Sequence, residues 1–240
     1  MLIETIVATP AELAQTFAAR LASTARRVQA TGRALSLVLP GGSVAETFFP
    51  VLALAAIDWT MVEVFWSDER AVPPDDQDSN YRVADELLLR RVAIDRSRMH
   101  RMEAEAADVH AAARQYETEL GQALGIPPRF DVVLLGVGPD GHVCSLFPGH
   151  RALDDTARRV LAVTDSPKPP PARLTLTLAA LTAADIYIAA FGAAKAAVIR
   201  EALNRPASPL PVARAARAGQ RAIFLIDGEA AGARATKSTG

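Results

Sequence analysis

One cysteine, Cys144, is all that the chain of 240 residues contains. That excludes an intrachain disulfide and a multi-cysteine zinc site. No uninterrupted apolar segment reaches the ~18 residues of a spanning helix. The opening residues MLIETIVATPAEL carry neither a basic stretch nor a long apolar run, so no signal peptide is expected. No repeat of fixed period is present, and no G-x-S-x-G elbow offers an activated serine. A formal net charge of −1 leaves no bulk positive field for nucleic acid or an anionic membrane, although local basic clusters can still hold small anions. What is present is core. With 50% hydrophobic and 22% charged residues, the composition is that of a globular protein, enough for one large α/β domain or at most two small ones. A cytoplasmic protein without nucleic-acid or membrane partners is expected. The sequence does not specify an oligomeric state; a monomer is the simpler expectation.

Thr9, Pro10 and Glu12 form a capping box with proline at the first helical position, and Leu13, Phe17 and Leu21 continue at helical spacing. Gly32 can end that helix. Ala34–Leu39 is a short apolar run with the character of a buried strand. A helix from Val44 follows, which Pro50 should stop or kink. Met61–Trp66 reads as the next strand, and Ser79 can cap a helix to about Arg90. Ala104–Leu124 is Ala-rich and helical until IPPRF breaks it before the strand Asp131–Gly136. Further strands are expected at Val160–Thr164, Arg173–Leu178, Ile186–Phe191 and Ala222–Ile226, with a helix over Ala193–Leu203. Strands alternating with helices give a mainly parallel sheet covered on both faces. Residues 1–227 read as one α/β domain. The tail 228–240 lacks a core-forming pattern and should fray. SPKPPPAR, Ser166–Arg173, is the candidate mobile or spacer segment.

Ligands of such sheets sit at the carboxyl ends of strands, which selects four stretches. In LVLPGGSVAE, Gly41 and Gly42 let backbone N–H groups approach an anion beside the Ser43 hydroxyl. An ordinary tight turn with a serine N-cap would read the same. The spacing is neither that of a P-loop nor of a dinucleotide fingerprint. In FWSDERAVPPDDQDSNY, Asp68, Glu69 and Arg70 follow Trp66 at once. Each charge alone can be a solvated loop residue; Arg70 is the candidate, because a guanidinium matches phosphate oxygens. Ser79 and Asn80 read as helix-capping residues rather than ligands.

In DVVLLGVGPDGHVCSLFPGH, a strand ends in a loop containing Gly136, Gly138 and Gly141. Asp140 and His142, two apart, can share a face. A histidine that titrates near neutrality can serve as a general base; a structural histidine bonded to a carbonyl is the alternative. Cys144 is read as a small packing residue, with a thiolate nucleophile as the competing reading. In the fourth group, Arg173 enters a strand and Lys195 opens a helix. A lysine there opposes the helix dipole unless it meets a bound anion, or is simply a solvated surface lysine.

Taken together, GGS after a strand, WSDERAVPPDDQDSNY, LLGVGPDGHVCSLFPGH and RLTLT resemble the 6-phosphogluconolactonase family, in the family's order from about Leu39 to Lys195. The string DGH-x-x-SLFPG is specific; the glycine–serine turn is not. The resemblance implies a Rossmann-like three-layer αβα fold shared with glucosamine-6-phosphate deaminases. It implies hydrolysis of 6-phosphogluconolactone, in the second step of the oxidative pentose phosphate pathway, with no required cofactor or metal. His142 would be the general base with Asp140 beside it. Gly41, Gly42, Ser43, Asp68, Arg70, Arg173 and Lys195 would bind the substrate and its phosphate. One departure stands out: Cys144 occupies a position where the family commonly has a small residue such as alanine.

The implied chemistry is ester hydrolysis. His142 takes a proton from water, backbone N–H groups of the glycine-rich loop meet the oxyanion, and the imidazolium protonates the leaving ring oxygen. Two rivals are weighed. A glucosamine-6-phosphate deaminase/isomerase carries a glutamate five residues after the histidine, where this chain has Phe147. A non-catalytic sugar-phosphate sensor would keep the cations but need no base, and Asp140 and His142 argue against it.

Overall fold

The computed structural model describes residues 2–182, 184–205 and 207–232. The chain opens with β1 (Leu2–Val7), mostly exposed, and α1 (Pro10–Gln29). The capping box is formed: Thr9 N donates to the Glu12 carboxylate at 2.9 Å, and the Thr9 hydroxyl accepts from Glu12 N. Such a cap stabilises a helix by about 1 kcal/mol. Next come β2 (Leu35–Leu39), buried throughout, and α2 (Gly42–Leu52), which runs through Pro50 before ending. β3 (Val62–Trp66), β4 (Asp68–Arg70), α3 (Asn80–Leu87) and β5 (Met99–His100) follow. α4 (Val109–Leu124) starts later than its Ala-rich approach suggests, because the Asp108 carboxylate accepts from His110 N and Ala111 N and fixes the start. The remaining elements are β6 (Val132–Gly136), β7 (Val160–Val163), β8 (Arg173–Leu176), β9 (Asp185–Ala190), α5 (Ala196–Asn204), α6 (Pro211–Ala218) and β10 (Arg221–Ile226).

Seven strands form one parallel sheet in the order β1-β10-β9-β6-β2-β3-β5. Adjacent residues of β9 show that both faces are covered. The Tyr187 ring meets Phe17 of α1 edge-on at 4.9 Å. Its neighbour Ile186 points the other way and lies against Gly219 just after α6, where an added Cβ would come within 2.8 Å. Phe17 also touches Phe48, so α1 and α2 share the first face. Helix, sheet and helix make the three layers. From β2 the chain builds outward through β3 to β5. It then returns to the other side of β2 with β6 and continues to β9 and β10. The carboxyl ends of β2 and β6 are therefore the place where connections diverge, and a crevice opens there.

Three expectations are corrected. The strands at 160 and 173 leave the parallel sheet; β4, β8 and β7 form a separate antiparallel sheet. β4 is the charged stretch read as loop: its side chains carry charge, but its backbone pairs with β8. β1 and α6 were not recognised. β1 is an edge strand with exposed Leu2, Ile3 and Val7, and α6 is short and rich in alanine and arginine. The start of the expected tail is packed, with Ala230 buried and its N–H donating to Asp227 at 2.7 Å. Residues 233–240 of that tail lie outside the described residues. No helix among the described residues is long and apolar enough to cross a membrane.

Candidate active site

At the switch point lies an open cleft of about 140 Å³. Its walls include Gly41, Gly42, Ser43, Asp68, Arg70, His142, Cys144, Arg173 and Lys195. Every site residue expected from the sequence is thus on the wall except Asp140, which stands behind His142.

The first wall is the turn after β2. α2 begins at Gly42 with Gly41 as its N-cap and no side-chain cap. Ser43 is therefore inside the first helical turn and not the cap, and the leading N–H groups of α2 are free to face an anion. Gly41 is needed for a close approach: a Cβ there would fall 1.8 Å from Asn80 Oδ1. Gly42 has φ +65, the left-handed region.

The second wall is β4 and the start of α3. Glu69 is buried and accepts from Arg70 N, Asn80 N, Tyr81 N and the Ser79 hydroxyl. Burial pushes its carboxyl up, while the backbone N–H groups pull it down by less. This carboxylate fastens β4 to the N-terminus of α3 and closes the loop between them. Ser79 caps α3 as expected. Asn80 does more: its Nδ2 donates to the Asp68 carbonyl at 2.9 Å, and it lines the cleft. Asp68 is buried and accepts from the Ser145 hydroxyl at 2.7 Å and from the Ser67 hydroxyl at 3.2 Å. Arg70 Nη1 donates to the Asp78 carbonyl at 2.6 Å, while its Nε is buried with no acceptor among the described residues.

The third wall is the loop after β6. Gly136, Gly138 and Gly141 match the dinucleotide-fingerprint spacing, but no helix follows to receive a pyrophosphate. The loop closes on itself instead: Gly138 N donates to His142 O and Gly141 N to Gly138 O, both at 2.9 Å. Those two N–H groups are spent within the loop and are not available to an oxyanion. Asp140 Oδ1 lies 2.5 Å from His142 Nδ1. Nδ1–H donates to the carboxylate, leaving Nε2 as the basic nitrogen. The imidazole packs on the Phe147 ring at 4.7 Å. Burial lowers the His142 pKa below the usual value, with the Asp140 bond opposing and the Lys168 charge assisting. Burial by itself raises the Asp140 pKa, but the His142 bond and the His142 and Lys168 charges outweigh it, and the net shift is downward. A neutral imidazole beside an ionised carboxylate is the protonation state of a waiting general base.

Cys144 packs as expected, with φ +53. Burial raises its thiol well above the usual value and the nearby Asp68 adds to that, so the thiolate is suppressed. Lys195 caps α5 at the cleft. Burial lowers its pKa; Asp227 pulls it up and Lys168 pushes it down. Arg173 is buried, and most of its donors are occupied: Nε by Pro170 O, Nη2 by Lys168 O and Pro169 O, and Nη1 by the Ser145 hydroxyl at 3.5 Å.

The sequence reading missed Asn80 as a cleft residue, Ser145 as the partner of Asp68, and Lys168. Lys168 Nζ lies 3.3 Å from His142 Nδ1 and 3.6 Å from Asp140 Oδ1. Its only signal in the sequence is a lone cation among prolines just ahead of Arg173. Among the described residues, no group of three or more His, Cys, Asp or Glu is placed to hold a metal ion.

The chain is 40% identical over 234 residues to the protein named 6-phosphogluconolactonase of Streptomyces coelicolor, covering 91% of this chain and 89% of that one. The solved 6-phosphogluconolactonase of Trypanosoma cruzi superposes with a TM-score of 0.85 at 28% identity, over 97% of each chain. A monomeric glucosamine-6-phosphate deaminase superposes with a TM-score of 0.80 at 24% identity, covering 98% of this chain and all of that one, which shows the shared fold. A family model described as glucosamine-6-phosphate isomerases/6-phosphogluconolactonase matches residues 8–224. By that match and the 40% identity, the chain belongs to this family.

Proposed function

We propose that this chain hydrolyses 6-phospho-D-glucono-1,5-lactone to 6-phosphogluconate by general-base activation of water. The observation that carries the reading is His142, with Nδ1 held by Asp140 and its ring packed on Phe147, at the wall of a cleft that also presents Arg70 and Lys195. The 40% identical relative bears the name of that activity.

In this mechanism Nε2 of His142 takes a proton from a water molecule as its oxygen attacks the lactone carbonyl. Asp140 stabilises the imidazolium that forms. The charge that develops on the carbonyl oxygen is not met by the Gly138 and Gly141 N–H groups, which are committed within their loop. Collapse of the intermediate breaks the ring C–O bond, and the imidazolium returns its proton to the leaving ring oxygen. The phosphate is taken by the first turn of α2 with Ser43, by Lys195 and by Arg70, all at the cleft wall.

Phe147 decides against the deaminase. It lies directly on the His142 ring, where a carboxylate could have relayed a proton during sugar-ring opening and a phenyl ring cannot. A pH-stat assay on freshly made 6-phosphogluconolactone, corrected for spontaneous hydrolysis, should show acid release, and glucosamine 6-phosphate should yield no ammonia. Ammonia release at a rate comparable to lactone hydrolysis would reject the reading.

A further inference from the structure

The proline-rich segment between β7 and β8 is the candidate mobile or spacer segment of the sequence. It is instead folded around one side chain. Three successive carbonyls, of Lys168, Pro169 and Pro170, all accept from the Arg173 guanidinium, at 3.2, 3.0 and 3.1 Å. Ser166 closes the turn from the other end, its hydroxyl donating to Lys168 O at 2.9 Å and accepting from Lys168 N at 3.2 Å. The guanidinium is only 5% exposed and is backed by Ser145 and, at 4.0 Å, by Asp68. The one side chain that this arrangement projects toward the reaction centre is Lys168. Its Nζ reaches the Nδ1 side of His142, away from the nitrogen that would meet water.

We propose that Lys168 is a positioning residue for the reaction: held through its own carbonyl by Arg173, its ammonium braces the His142–Asp140 pair from behind and opposes a second positive charge on the imidazole. The proposal rests on the lactonase reading above. The charges acting on the imidazole come from three segments. Asp140 on its own loop and Asp68 on β4 favour the charged ring, and Lys168 disfavours it; Arg173 of β8 stands beyond, its guanidinium 5.9 Å from the Phe147 ring centre. Without the Lys168 charge, burial would have less help against Asp140, and His142 would hold a proton to higher pH. Lys168 thus lets one carboxylate orient the ring without also making it a weaker base catalyst at mildly acid pH. Arg173 serves this brace with Nε and Nη2, while its Nη1 faces Ser145 at the cleft wall.

The test is the pH dependence of kcat/KM on the phosphorylated lactone for wild type, Lys168→Met and Lys168→Arg. The side chain is 39% exposed, so loss of the fold is not expected. Lys168→Met should move the acid limb to higher pH by roughly half to one unit, a screened share of the shift that a close charge produces. Lys168→Arg should restore the limb. An unmoved acid limb in Lys168→Met would overturn the proposal. So would a raised KM with no change in the limb, which would make Lys168 a direct substrate ligand. NMR titration of the His142 ring, assigned among the four histidines with His142→Gln, reads the same shift without substrate. If wild type proves inactive on the lactone, the lactonase reading fails, and this titration still decides whether Lys168 acts on the ring.

Discussion

Arg70 and Arg173 stand directly opposite each other across the antiparallel pair β4–β8, two guanidinium side chains at one cross-strand position. Like charges so placed are destabilising, and Arg70 adds to the downward shift that burial imposes on Arg173. Each is held by carbonyls, Arg70 by Asp78 O and Arg173 by the proline-rich segment. A pair of cations kept together at a cleft wall against their mutual repulsion suits an anionic substrate. Arg70→Met should therefore lower kcat/KM on 6-phosphogluconolactone by roughly 10–100-fold, the equivalent of about 1.4–2.8 kcal/mol. Thermal unfolding should show its stability unchanged within about 1 kcal/mol or increased. Equal loss of stability and activity would make Arg70 a structural residue.

Arg173 and Lys195 should separate when two lactones are compared. Lys195→Ala removes a cleft cation that has few internal partners, so it should cost about 10–100-fold on the phosphorylated lactone and little on unphosphorylated gluconolactone. Arg173→Ala releases the segment that carries Lys168, so it should impair both substrates. Steady-state kinetics on the two lactones checks this; a loss confined to the phosphorylated substrate in Arg173→Ala would restore Arg173 as a phosphate ligand.

Gly138 sits against the base. A Cβ there would fall 2.0 Å from His142 Cε1 and 2.6 Å from Asp140 Oδ1. Gly138→Ala should fold, because the imidazole can swing away, but the swing breaks the 2.5 Å contact with Asp140. The expected outcome is a fall in kcat by about 10²-fold or more with KM nearly unchanged. A variant of wild-type kcat would show that the His142–Asp140 geometry does not matter.

Cys144 should be silent. Its buried, protonated thiol predicts slow alkylation by iodoacetamide at neutral pH, and Cys144→Ala should keep activity within about threefold. Abolished turnover in a folded Cys144→Ala would move the chemistry from His142 to sulfur.

Much of this was legible in the sequence, for reasons that differ by element. α1 announced itself through Thr9–Glu12 and its apolar stripe, and β2, β3 and β6 through unbroken apolar runs, because strands buried on both faces need no alternation. β1 and β4 were not legible: one is an exposed edge, the other is charged in side chain and paired only in backbone. The site was legible where a residue type and a strand end coincide, as for His142, Arg70 and Lys195. It was not legible where a residue acts through tertiary contact alone. Lys168 reaches His142 across 26 positions of chain and Ser145 reaches Asp68 across 77; Ser145 stands in the DGH-x-x-SLFPG string, but no local pattern names either partner. Arg173 was found, but not its hold on the carbonyls of the loop beside it, which no sequence pattern marks.

Hydrolysis by this route requires His142 as a neutral base, and the pH–rate profile tests that most directly. Burial lowers the ring's pKa from its usual 6.5, so the base stays unprotonated as pH falls past that value and is lost only as pH falls through the lowered one. The acid limb of kcat/KM for 6-phosphogluconolactone hydrolysis by the wild-type chain should accordingly lie below pH 6.5, and His142→Ala should reduce the rate by about 10²–10⁴-fold and abolish the limb. An acid limb well above 6.5, or one that persists with near-normal rate in folded His142→Ala, would contradict it.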